Sequence, residues 1–101
     1  MLGPDSLSVE IARIPVAPAQ ADALIAALDA ARADFLSAPA CRELHVLVTP
    51  ARDVVVAVIG WASSEAHQAA AARPEAGAFF QTVAALAAGQ PSIGHFAPAE
   101  A

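Results

Sequence analysis

The chain has no lysine, no asparagine and no tyrosine, and it carries one cysteine and one tryptophan in 101 residues. Each shortage removes a class of function. A single cysteine, Cys41, excludes an intramolecular disulfide and leaves packing as a small hydrophobe as its default role. Five basic residues against ten acidic ones give a net charge of −5. Without a basic cluster, neither nucleic acid nor an anionic membrane is an expected partner. The longest uncharged apolar run, from Val54 to Ala62, is much too short to span a bilayer. The N-terminal Met-Leu-Gly-Pro-Asp-Ser lacks the basic region and apolar core of a signal peptide, so a cytoplasmic protein is expected. The five glycines are scattered and form no phosphate or dinucleotide loop. The three histidines, His45, His67 and His95, have no metal-ligand spacing. No cofactor and no metal are expected.

What is abundant is apolar surface, 57% of the residues, much of it alanine. Alanine enrichment with arginine in place of lysine reads as the codon bias of a GC-rich, bacterial genome. The length allows one domain over residues 1–101, with 1–7 and 97–101 as flexible tails. A domain this small and this apolar hides more surface than its own fold covers, and homo-oligomerisation is the simple remedy.

Hydrophobic periodicity orders the elements. Ser8 to Val16 is rich in β-formers, with Glu10 and Arg13 interrupting; a carboxylate partner for Arg13 is expected in Glu10 or Glu43. Gln20 to Ser37 places Leu24, Leu28, Ala31 and Phe35 at helical spacing, widened by Ile25 and Leu36, and Pro39 closes it. Cys41 to Thr49 alternates: Leu44, Val46 and Val48 on one face, Cys41, Glu43, His45 and Leu47 on the other. The turn at Pro50–Asp53 leads by a hairpin into Val54–Trp61, a strand apolar on both faces and so covered on both. Ser63 or Ser64 caps a short helix to Ala72, Pro74 opens another that ends at Gly89, and Ser92–Phe96 is a last strand. The result is an α+β, ferredoxin-like β-α-β-β-α-β order with an antiparallel four-stranded sheet and a second helical region broken at Pro74. Helices cover one sheet face; the other is apolar and calls for a second copy.

Trp61-x-Ser63-x-Glu65-Ala66-His67, followed by Arg73-Pro74-Glu75 and Phe79, resembles the antibiotic biosynthesis monooxygenase (ABM) domains of the dimeric α+β barrel superfamily. The resemblance covers nearly the whole chain. It implies a homodimer whose sheets face each other, with a pocket in each subunit between sheet and helices. It implies cofactor-independent oxygenation of a small aromatic or quinol-type substrate, and so an oxidoreductase. In anthrone-oxidising members a tryptophan at the position of Trp61 lines the pocket, and His67 falls where such members carry a polar-tipped aromatic. Imidazole titrates near neutral pH and suits removal of a phenolic proton.

The catalytic candidate is therefore His67, with Trp61, His45, Phe79 and Phe80 as substrate contacts. Departures from the family bear on this. The haem-degrading branch needs an asparagine on the first strand, and the chain has none; a gap-free count from Trp61 puts that branch's later tryptophan at Ala70 and its ligand at Phe80. The anthrone-type asparagine on the third strand is replaced by Ala57. The competing reading is a non-catalytic dimeric scaffold or small-molecule binder, in which Trp61, Phe79 and Phe80 fill one another's space and His67 points to solvent. An isomerase pairing His45 with His67 is a third option. His95 is expected at the dimer interface or a pocket mouth.

Overall fold

A computed structural model describes residues 7–37 and 41–99. Pro39, most of the N-terminal tail and residues 100–101 lie outside them, as does the side chain of Phe35. The elements are β1 (Ser8–Pro15), α1 (Ala21–Ser37), β2 (Cys41–Val48), β3 (Val54–Trp61), α2 (Ser64–Ala71), α3 (Pro74–Leu86) and β4 (Ser92–Phe96), with a short 3-10 turn at Pro18–Gln20 before α1. The sheet has four strands in the order β2-β3-β1-β4, and every neighbouring pair is antiparallel. Just before β1, the Leu7 N–H donates to the Trp61 carbonyl at 3.0 Å. Among the described residues no helix is long and apolar enough to cross a membrane.

Register sorts the side chains into two faces. Cross-strand partners share a face, so Leu44, Ile59, Glu10 and His95 form one row across the sheet. Val46, Ala57, Ala12 and Ile93 form the next row on the same side. This side packs on the helices: Ile14, Leu24, Leu28, Leu44, Val55, Ile59, Trp61 and Val83 make the core. On the other side lie Leu47, Val56 and Arg13, then His45, Val58 and Ile11, then Glu43, Val9 and Phe96. Among the described residues no helix covers that face, and Leu47 and Phe96 are exposed on it.

Four local expectations are corrected. Cys41 belongs to the helix-side core, not to the face of Glu43 and His45, because the ladder shifts between Cys41 and Glu43 and so reverses the alternation. Burial raises the Cys41 pKa, so the thiol stays protonated and unreactive at neutral pH. Leu36 is exposed; at 3.6 residues per turn it sits about 80° round the helix from Leu28, off the buried stripe. Gly89 does not end α3. The helix stops at Leu86, Ala87 turns extended, and the Ala88 N–H bonds the Pro15 carbonyl at 2.8 Å, so the end of β1 supplies the acceptor that draws the chain out of the helix. Arg13 and Glu10 cannot pair, because an odd separation in a strand puts them on opposite faces.

Two polar links tie α1 down. The Arg32 guanidinium donates to the Leu44 carbonyl on β2. Arg52, in the β2–β3 turn, pairs with Asp22 at the start of α1. That turn is held by the Thr49 hydroxyl, which accepts from the Asp53 and Val54 N–H groups, each at 3.2 Å.

Candidate functional site

Trp61 ends β3 on the helix side and is 2% exposed. Two residues later Ser63 turns extended and caps α2, its hydroxyl accepting from the Ala66 N–H at 3.1 Å. Such a cap stabilises a helix start by about 1 kcal/mol. The His67 N–H donates to the Ser63 carbonyl at 3.2 Å. This one-turn offset lays the imidazole over the indole: the ring centroids are 4.8 Å apart, with 25° between planes. The strand end, the cap and the first helical turn thus fix His67.

Beneath His67 lies Glu10, in the middle of β1 and 7% exposed. Glu10 Oε1 is 3.1 Å from His67 Nε2. With Nε2–H donating to the carboxylate, the ring lone pair is on Nδ1. His95, opposite Glu10 across the β1–β4 ladder, completes the group. Its ring centroid is 5.0 Å from that of His67.

Glu10, Trp61 and His67 line one end of a cavity of about 270 Å³. Apart from Gln90 the remaining wall is apolar: Ile14, Leu44 and Ile59 from the sheet, Leu28 from α1, Phe79, Phe80 and Val83 from α3, and Ile93 from β4. Ala12, Ala57, Ala70, Ala76 and Ala84 also face it. The hollow exists because these short side chains converge where longer ones would have met. The hollow is partly open to solvent at the Phe80 rim, and its apolar wall offers water few hydrogen-bond partners. Its volume lies at the small end of ligand sites, and an apolar wall with few convergent polar groups is their usual make-up.

Of the residues singled out from the sequence, the fold brings Trp61, His67, Phe79 and Phe80 to this cavity. Phe79 and Phe80 are tilted neighbours with centroids 6.0 Å apart. Phe80 is 48% exposed, which puts it at the rim. A cavity lies between these side chains and His67 lines it, rather than the filled space and solvent-facing His67 of the competing reading. His45 is elsewhere. It shares a row with Val58 on the uncovered sheet face, where its Nε2 meets Glu43 Oε1 at 2.8 Å. With the sheet between them, His45 and His67 cannot act on one molecule within a subunit.

Sequence reasoning missed Glu10 as a site residue. The available signal was a carboxylate inside a strand of β-formers, which needs a partner if buried.

Residues 8–82 match the family model described as antibiotic biosynthesis monooxygenase. None of the curated protein sequences matches the chain significantly. Solved structures share the fold. A monooxygenase from the gene ActVA-Orf6 of Streptomyces coelicolor, in complex with nanaomycin D, superposes with a TM-score of 0.87 at 20% identity, over 95% of this chain and 90% of that one. Rv0793 from Mycobacterium tuberculosis gives 0.81 at 22% identity, over 92% and 95%. SnoaB, a cofactor-independent oxygenase from Streptomyces nogalater, gives 0.75 at 20% identity, over 92% and 93%.

Proposed function

Because the chain belongs to the antibiotic biosynthesis monooxygenase family, we propose that it is a cofactor-independent monooxygenase of a small aromatic or quinol-type molecule. The observation that carries this reading is the Glu10–His67 pair set at the polar end of an otherwise apolar cavity, against Trp61. The ring of the substrate lies on the apolar wall, and its hydroxyl or acidic C–H meets the His67 lone pair. His67 takes the proton, and the Glu10 carboxylate fixes the tautomer and stabilises the imidazolium that forms. The resulting anion passes one electron to dioxygen. The radical pair joins at a carbon that still carries hydrogen, and the peroxide loses water to leave a carbonyl. One oxygen atom enters the product and the other leaves as water. The substrate supplies all four electrons, so no external reductant enters. Apolar walls keep water from the anion.

The test is oxygen uptake with a panel of small hydroquinones and anthrone-type phenols. Uptake above the uncatalysed rate, in equal amounts with substrate lost, is expected. A flat trace across the panel, with ligand binding still detectable, would leave only a binding module.

The same reading includes a homodimer. A second copy laid on the uncovered face would bury Leu47, Val56 and Phe96. Light scattering is expected to give about twice the 10.2 kDa chain mass at micromolar concentration. A stable species of single-chain mass overturns this part.

A further inference from the structure

His95 has no task in the Glu10–His67 pair. A base and its orienting carboxylate are complete without a second imidazole, yet one stands beside them. One ligand atom from each of Glu10, His67 and His95 lies within 4.8 Å of the other two. We infer that these three side chains form a binding site for a first-row divalent cation of the zinc type.

Three observations carry the inference. The first is the donor set. Two imidazole nitrogens and one carboxylate oxygen suit Zn²⁺ and its first-row neighbours; Mg²⁺ and Ca²⁺ prefer oxygen alone, and Cu⁺ prefers sulfur. Three protein ligands leave at least one position for water. The second is geometry. Donors bound to a tetrahedral ion at ordinary bond lengths lie about 3.4 Å apart. Glu10 Oε1 and His67 Nε2 already stand at 3.1 Å. The adjustment falls to His95, which is exposed and on an edge strand. Glu10 and His95 are locked opposite each other in the β1–β4 ladder. His67 is held by its capped helix and the Trp61 stack, so the group is preorganised by the fold.

The third is charge. Glu10 is a buried carboxylate in a chain without lysine. Its only ion pair among the described residues is with His67. Arg13, the nearest cation in sequence, lies on the opposite sheet face. A buried carboxylate needs a counter-charge, and two imidazoles beside it offer either a proton or a metal ion.

This inference does not rest on the oxygenase reading. A metal ion and a proton exclude each other on His67 Nε2, so the metal-loaded chain is a different state from the one that would deprotonate a phenol.

The experiment is calorimetric titration of Zn²⁺ into the untagged, metal-free full chain, with Co²⁺ absorption spectra as a second readout. About one ion per chain is expected, with the visible absorption of a low-symmetry nitrogen–oxygen site. His95→Ala, on an exposed edge-strand position, is expected to keep the fold and weaken Zn²⁺ binding at least about 10-fold. Glu10→Gln is expected to weaken it likewise. His45→Ala, which breaks the separate pair with Glu43 on the other face, is expected to change nothing. Absence of saturable binding overturns the site, and so does a folded His95→Ala chain that binds as well as the parent. Neither result touches oxygen uptake in the metal-free protein, so the two readings fail separately.

Discussion

His67→Ala is expected to lower kcat/KM for a reactive hydroquinone by about 10²–10⁴-fold, the usual contribution of a positioned general base, with the fold and the association state unchanged. The size of the effect follows from what remains. The apolar wall and the Trp61 ring still hold a substrate, so binding survives. No other described side chain at that end of the cavity accepts a proton with its partner already in place: Glu10 is directed at His67, and His95 is not part of the cavity wall. Glu10→Gln gives the companion result. It keeps the shape of the side chain and its hydrogen bond but removes the charge that stabilises the imidazolium. A smaller loss in kcat, with KM nearly unchanged, is expected. Oxygen-uptake rates of the three proteins check the order. Turnover in His67→Ala equal to the parent's would remove His67 from the chemistry, whatever Glu10 does.

Trp61→Ala is expected to lower stability by about 3–5 kcal/mol, the range for removing a large buried aromatic side chain. Denaturant unfolding measures it directly. For a domain of this length that is on the order of a 20 °C fall in melting temperature. The residue sits where Ser8 of β1 and Cys41 of β2 both pair with the end of β3, and where the start of α2 rests on the sheet. Its loss would join the existing cavity to a new void and free His67 from its stack. Trp61→Phe keeps a ring there and is expected to recover a large part of the loss. A melting temperature for Trp61→Ala within a few degrees of the parent's would mean that Trp61 is a pocket wall and no structural plug. The two roles are compatible, and the stability measurement apportions them.

Much of the architecture was legible because strand and helix periods are local. Val54–Trp61 reads as a strand from eight residues alone, and the central β3 has those bounds. Ser63, Pro74 and the alternation in Ser92–Phe96 mark their elements through local chemistry. The site was half legible. Trp61 and His67 stand six residues apart, across a strand end, a cap and one helical turn, so their meeting can be worked out along the chain. Glu10 and His95 cannot be found that way. Glu10 looks like a break in a β pattern, and its place beside His67 depends on α2 folding back over β1.

His45 shows the opposite limit. Alternation put it with Glu43, as observed, but which face of β2 would meet the helices was open from one strand. Cys41 failed because a single shift in the ladder reverses every face before it, and nothing in the residue types announces a bulge there.

By itself the sequence determined the element order, the strand and helix bounds to within a few residues, and the membership of Trp61 and His67 in one junction. These depend on spacing along the chain and on capping and turn chemistry, which act over a few residues. Tertiary structure alone decided which carboxylate reaches His67, that His95 stands beside it, that His45 faces away, and that alanines from β1, β3, α2 and α3 leave a hollow. Those facts depend on register and on the seating of helices over the sheet, which are set by the sum of all contacts and not by any one stretch of chain.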